Sequence, residues 1–209
     1  MKIQTLKRLA FLVIIVVASI TGCHSRSKDS ISVADSANQK QIAKTDSASK
    51  AQASHADSSI NANKKLSEDE SKFLVKSYEA GMYEIRLSQL AATNGLDADV
   101  KNLAAELLSA HTAINSSIKT IATTANFVLP AGIDADHEKD MQDIRKLKAS
   151  NFDEKYINIV VDDYNNEEDD YKDAYKNLSD GNTRTFAAET LPRIQDHLEM
   201  AKKVQDRIK

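Results

Sequence analysis

The 209 residues carry 28 basic and 31 acidic side chains, and they include no Trp, two Pro and one Cys. That balance lacks the basic excess on which nucleic-acid binding depends. A lone thiol excludes both an internal disulfide and a thiolate metal site.

Lys2, Lys7 and Arg8 precede an apolar run of 12 residues, Leu9 to Ile20, which Ile20-Thr21-Gly22-Cys23 closes. A positive start, a short apolar stretch and small residues ahead of a cut site make an export signal. Crossing a bilayer takes about 20 apolar residues, so residues 1–22 read as a signal peptide rather than a permanent span. Ile20-Thr21-Gly22-Cys23 resembles the bacterial lipobox, which implies that Cys23 is acylated and becomes the mature N-terminus. A multiply acylated cysteine would anchor the chain stably to a membrane.

Residues 23–66 then run through ten Ser and eight Ala without Gly, Pro or an aromatic residue, so nothing there can build a core. The composition predicts a disordered tether with a reach of about 35 Å and transient helix in its Ala/Lys/Gln patches. Ser67-Glu68-Asp69-Glu70 is a capping box that opens the folded part, residues 67–209.

Helix spacing predicts a first long helix from Glu68 to about Thr93, ended at Asn94-Gly95, with Phe73, Leu74, Ala80, Gly81, Leu87 and Ala91 inward. Gly81 lies in mid-helix, where it costs close to 1 kcal/mol against Ala, so a close helix approach is expected there. Asp97 caps a second helix, to about Ala125, whose apolar face of Val100, Leu103, Ala104, Leu107, Ile114, Ile118 and Ile121 includes His111. A long connection follows. Within it Asp134 caps a short helix carrying Met141, Ile144 and Leu147.

A third long helix runs from near Phe152 to Leu178, placing Asp163 and Glu167 on its apolar line with Tyr156 and Val160. The last helix follows Asp180-Gly181-Asn182 and turns Phe186, Leu191, Ile194, His197, Leu198, Ala201, Val204 and Ile208 inward; Pro192 should kink or restart it near Thr190. Four long amphipathic helices without strand alternation argue an all-α four-helix bundle with a short extra helix between helices 2 and 3.

Counted at 1.5 Å per residue, Glu84, His111, Asp163, Glu167 and His197 all come to the middle of such a bundle. In one reading His111 and His197 pair with Glu84 and Asp163, because isolated buried charges are expensive, and the network fixes helix register. In the other the same residues form an N/O site for iron, zinc or manganese. A di-iron bundle takes Glu-x-x-His from two of its helices, whereas Leu108 and Ile194 stand three residues before the two histidines.

Ala80-Gly81-Met82-Tyr83-Glu84, Gln89-Leu90-Ala91, His111, Leu129-Pro130, Phe152-Asp153 with Tyr156, Asp163, and Leu191-Pro192 with His197 and Ala201 span nearly all of the folded part. Together they resemble the bacterial exported proteins grouped as domain of unknown function 4142. That resemblance implies a ferritin-like fold and an envelope location, either periplasmic or in the outer membrane. Where the family usually has Asp-His in the second and third long helices, this chain has Ala110-His111 and Asp163-Tyr164.

Asp162 to Asp173 holds seven acids but lacks the glycine and ligand spacing of a calcium loop, and reads as a solvated helix face. The folded part has 18 basic against 27 acidic residues, and the tether seven against four, so a basic tether beside an acyl anchor would lie near anionic headgroups. No nucleophile elbow or phosphate-binding loop is present. The sequence therefore points first to a non-enzymatic, lipid-anchored envelope interaction or stress-related module, with the membrane as partner and no cofactor. Its alternative is a metal-binding or ferritin-like redox protein using the five mid-bundle residues.

Overall fold

A computed structural model describes residues 27–52, 66–179 and 181–208, with the side chains of the first segment described for residues 30–44. The signal peptide and Cys23 lie outside the described residues, as does the stretch 53–65. Among the described residues the chain is all-helical: α1 (Ser27–Gln52), α2 (Glu68–Asn94), α3 (Ala98–Thr124), α4 (Ala135–Ile144), α5 (Ala149–Asn177) and α6 (Asn182–Ile208). No helix among them is long and apolar enough to cross a membrane.

Local chemistry sets the ends. Glu70 N–H donates to Ser67 Oγ (3.2 Å) while Ser67 N–H donates to Glu70 Oε2 (2.7 Å), the reciprocal bonds of a capping box. Asp97 and Asp134 each accept two backbone amides at the starts of α3 and α4. At the far end of α3, Asn126 takes a left-handed φ of 52°, and Phe127 N–H reaches back to the Ala122 carbonyl at 2.9 Å, closing the helix in the Schellman manner. Pro192 leaves α6 unbroken, contrary to the predicted restart. A helix can absorb the missing amide where its neighbours hold it, and Thr190 and Ile194 on either side are buried.

α2 packs on α3, α5 on α6, α2 on α5 and α3 on α6, enclosing one core that runs from Phe73 and Leu74 to Leu198 and Ala201. The 24-residue link from Ala125 to Lys148 travels from one end of this arrangement to the other. Asp153, near the start of α5, proves it: its buried carboxylate accepts Leu96 N–H (3.0 Å) and Asp97 N–H (2.8 Å) from the α2–α3 joint. At the opposite end Phe73, Tyr171 and Phe186 pack together, Phe73 against Tyr171 edge-on at 5.1 Å. The two tight joints therefore lie at opposite ends, and Asp134 with α4 is carried along the flank of α2.

The disordered reading of residues 23–66 is corrected over Ser27–Gln52, which is helical. α1 has too few apolar residues to form a core of its own, and it is held instead by a surface that the tether's composition could not reveal. Ala34 and Asn38 are its buried residues among the described side chains, and Asn38 makes two hydrogen bonds to Val128.

Gly81 confirms the expected close approach. A Cβ built there would stand 2.2 Å from Asn115 Oδ1 on α3, whose amide donates to the Tyr78 carbonyl at 3.2 Å. Gly81→Ala should therefore cost ~1–2 kcal/mol in urea unfolding, because the clash outweighs the ~1 kcal/mol gain in helix propensity. Adding Asn115→Ala to Gly81→Ala should return most of that loss; equal stability of wild type and Gly81→Ala would show that Asn115 yields freely.

Candidate functional site

A cavity of about 560 Å³ opens on the flank of α2 and is walled by α1, α2, α4 and α5. Acids dominate its lining, including Glu79, Glu84, Asp134, Asp163 and Glu167, together with His137 and Tyr83. Each helix delivers its share by regular spacing. Glu79, Tyr83 and Glu84 follow one another along α2, Asp163 and Glu167 are one turn apart on α5, and Asp134 and His137 straddle the first turn of α4.

At the mouth, Glu79, Asp134 and His137 bring one ligand atom each to within 4.8 Å of one another. Glu79 Oε1 accepts Asp134 N–H (2.7 Å) and lies 2.9 Å from His137 Nδ1. Burial pulls the His137 pKa down, but the hydrogen bond and charge of Glu79 more than offset it, so the net shift is upward. The Tyr83 ring stacks on the imidazole at 4.0 Å and fixes its plane.

Deeper in, the chemistry changes. Glu84, which is 1% exposed, lies within hydrogen-bonding reach of Asp163, so that one carboxyl can donate to the other, while Glu167 Oε2 and the Tyr83 hydroxyl have no partner. Desolvation, reinforced by Asp163 and Glu167, pushes the Glu84 carboxyl well above its ordinary range. Asp163 is raised mainly by burial, and burial with the charge of Asp163 takes Glu167 to about 8. Two buried carboxyls this close need a proton or a cation between them.

Three of the five mid-bundle candidates, Glu84, Asp163 and Glu167, thus meet at this cavity. The two histidines do not. His111 Nε2 lies 2.7 Å from the Tyr164 hydroxyl, which is 3.4 Å from His197 Nδ1, so the expected pairing of the histidines with Glu84 and Asp163 is corrected. Tyr164 fills the space between the imidazoles on α3 and α6 and takes the hydrogen bonds that the carboxylates were expected to supply. Burial, with the neighbouring His197, lowers the His111 pKa to about 3 and keeps the ring neutral. Its Nδ1 has no partner, so the proton belongs on Nε2, donating to the Tyr164 oxygen and freeing the phenolic hydrogen for His197. His197 Nε2 in turn lies 3.9 Å from Glu106, an exposed acid.

Glu79, Tyr83, Asp134, His137 and Tyr164 were missed as functional groups in the sequence. The available signal for two of them was the Asp134-x-x-His137 spacing, which places both side chains on one face of a helix start. Which long helix that face meets depends on the path of the link, and no periodicity encodes it.

A neutral buried imidazole leaves a mark on stability. Between about 3 and 6.5 the unfolded chain binds a proton at His111 that the folded chain does not, so its contribution is intact above pH 6.5 and is lost as pH falls. His111→Gln should therefore lose roughly 1–2 kcal/mol less than wild type between pH 7 and pH 5, read from urea unfolding at both values. Equal losses would show that His111 titrates normally in the fold.

No curated protein and no solved structure matches this chain. The model of one family, described as a domain of unknown function, does match it, from α2 through most of α6. Residues 55–204 place the chain in that family, and the protein belongs to DUF4142.

Proposed function

We propose that this protein binds a divalent transition cation in the acidic cavity, and that it does so on a ferritin-like four-helix bundle held at the extracytoplasmic face by acylated Cys23. The observation that carries the cation reading is the convergence of the buried carboxyls of Glu84, Asp163 and Glu167 on the same cavity as Glu79, Asp134 and His137. One imidazole among several carboxylates suits manganese, iron or zinc. A hard oxygen-only calcium cage would not need His137. The bound cation would supply positive charge where the fold otherwise has to keep carboxyls protonated.

The anchor rests on the Ile20-Thr21-Gly22-Cys23 motif and on the export signal ahead of it. A cation-binding reading displaces a purely structural interaction module as the leading function, because register alone does not require several buried carboxyls around a cavity. His111 and His197 have no place in the cation site; their bonds to Tyr164 lock α3 and α6 onto α5.

Protein purified without chelator should carry Mn, Fe or Zn by elemental analysis, and Mn²⁺ added to the stripped chain should raise Tm by several degrees. Binding at 100 times Kd stabilises by about 2.7 kcal/mol. Glu84→Gln copies the protonated carboxyl, so it should keep the fold and weaken binding at least tenfold, as should His137→Ala. Absence of metal, of any Mn²⁺-dependent shift and of calorimetric heat would end the reading. For the anchor, mass spectrometry of membrane-extracted protein should find acyl chains on Cys23; an unmodified N-terminus at Cys23 would remove that part and leave the cation site standing.

A further inference from the structure

α1 lies outside the family match and, among its described side chains, buries only Ala34 and Asn38, yet it forms one wall of the acidic cavity through Ile31 and Asp35. The rest of the lining comes from α2, α4 and α5, so the cavity is completed by an element that precedes the family match. We infer that α1 is a displaceable lid over the cation pocket, latched by Asn38, and that it controls the exchange of the bound cation. This rests on the cation reading above and adds its regulation.

The latch is specific. Asn38, 2% exposed, donates its amide to the Val128 carbonyl (3.0 Å) and accepts Val128 N–H (2.9 Å), the fork that an extended backbone presents to a side-chain amide. Ser30 Oγ donates to the Gly132 carbonyl at 3.1 Å, and Gln41 reaches the Asn126 carbonyl. Every one of these bonds falls on the segment that leads directly into Asp134 and His137. Docking of α1 and placement of two mouth ligands are therefore one event, since the single stretch from Asn126 to His137 carries both the latch and the ligands.

Three features make the lid displaceable. Among the described side chains of α1, Ala34 and Asn38 are the buried ones, so little apolar surface holds the helix down. A cleft of about 1330 Å³ separates part of α1 from the connection, with Val33 64% exposed beside it. Asp35 has a buried oxygen without a hydrogen-bond partner on the cavity side. A cation in the cavity adds to the attraction Lys72 already exerts on Asp35, so loading tightens α1, and by linkage a docked α1 tightens the hold on the cation.

The test uses the mature chain and Mn²⁺ alone. Hydrogen exchange followed by mass spectrometry should show residues 27–52 slowed several-fold by Mn²⁺. Asn38→Ala should speed exchange there about tenfold and leave α2, α3, α5 and α6 unchanged. Release of Mn²⁺ to excess chelator in stopped flow should then be 5- to 10-fold faster in Asn38→Ala, with Ser30→Ala moving the rate the same way by less. If Mn²⁺ binds and leaves at the wild-type rate from Asn38→Ala whose α1 exchanges faster, the lid is overturned and the cation site survives. Wild-type Mn²⁺ binding without any change in α1 exchange has the same meaning. No Mn²⁺ binding to the wild type overturns both.

Discussion

Glu84 and Asp163 face each other across the interface of α2 and α5 as buried carboxyls within hydrogen-bonding reach, and the middle of the molecule is built around that fact. Charges in such a place repel, so burial keeps protons on carboxyls that would be ionised in water. A core made to maximise stability would use apolar residues there, as the neighbouring Leu87 and Val160 do. The cost is tolerable because the rest of α2 and α5 is closely packed. Phe73 and Tyr171 at one end, and Asp153 receiving the α2–α3 joint at the other, hold the two helices in place.

The crossing link turns this buried feature into an accessible one. Had α3 and α5 been joined by a short turn, no segment would run along the flank of α2, and the carboxylates would have no neighbours from a fourth element. As built, Glu79 captures both Asp134 N–H and His137, which fixes the start of α4 at the mouth of the cavity. The same length of chain is gripped from outside by Asn38 and Ser30 of α1. One connection is thus shared by the pocket and by its covering helix.

On the other side of α5, Tyr164 separates the two histidines from the acids. The chain carries Ala110-His111 on α3 and Asp163-Tyr164 on α5, and the phenol takes both imidazoles as partners. The tyrosine makes that region a neutral hydrogen-bonded chain and leaves the acid cavity with His137 as its imidazole.

Much of this was legible in the chain itself. Apolar residues at helical spacing, the Ser67 box and the Asp97 and Asp134 caps fixed five helices to within a few residues, because capping and amphipathic burial are local. The position of Gly81 also announced a close approach, since a glycine in mid-helix is costly without one. Counting along helices brought Glu84, Asp163 and Glu167 to one level, because helix rise is constant. Tertiary structure alone decided which way each polar group turned, which end of the bundle the link reached, and that α1 is a docked helix. Those outcomes depend on partners 33 to 102 residues away, such as Tyr164 for His197 and Gly132 for Ser30, and no local pattern specifies a partner at that distance.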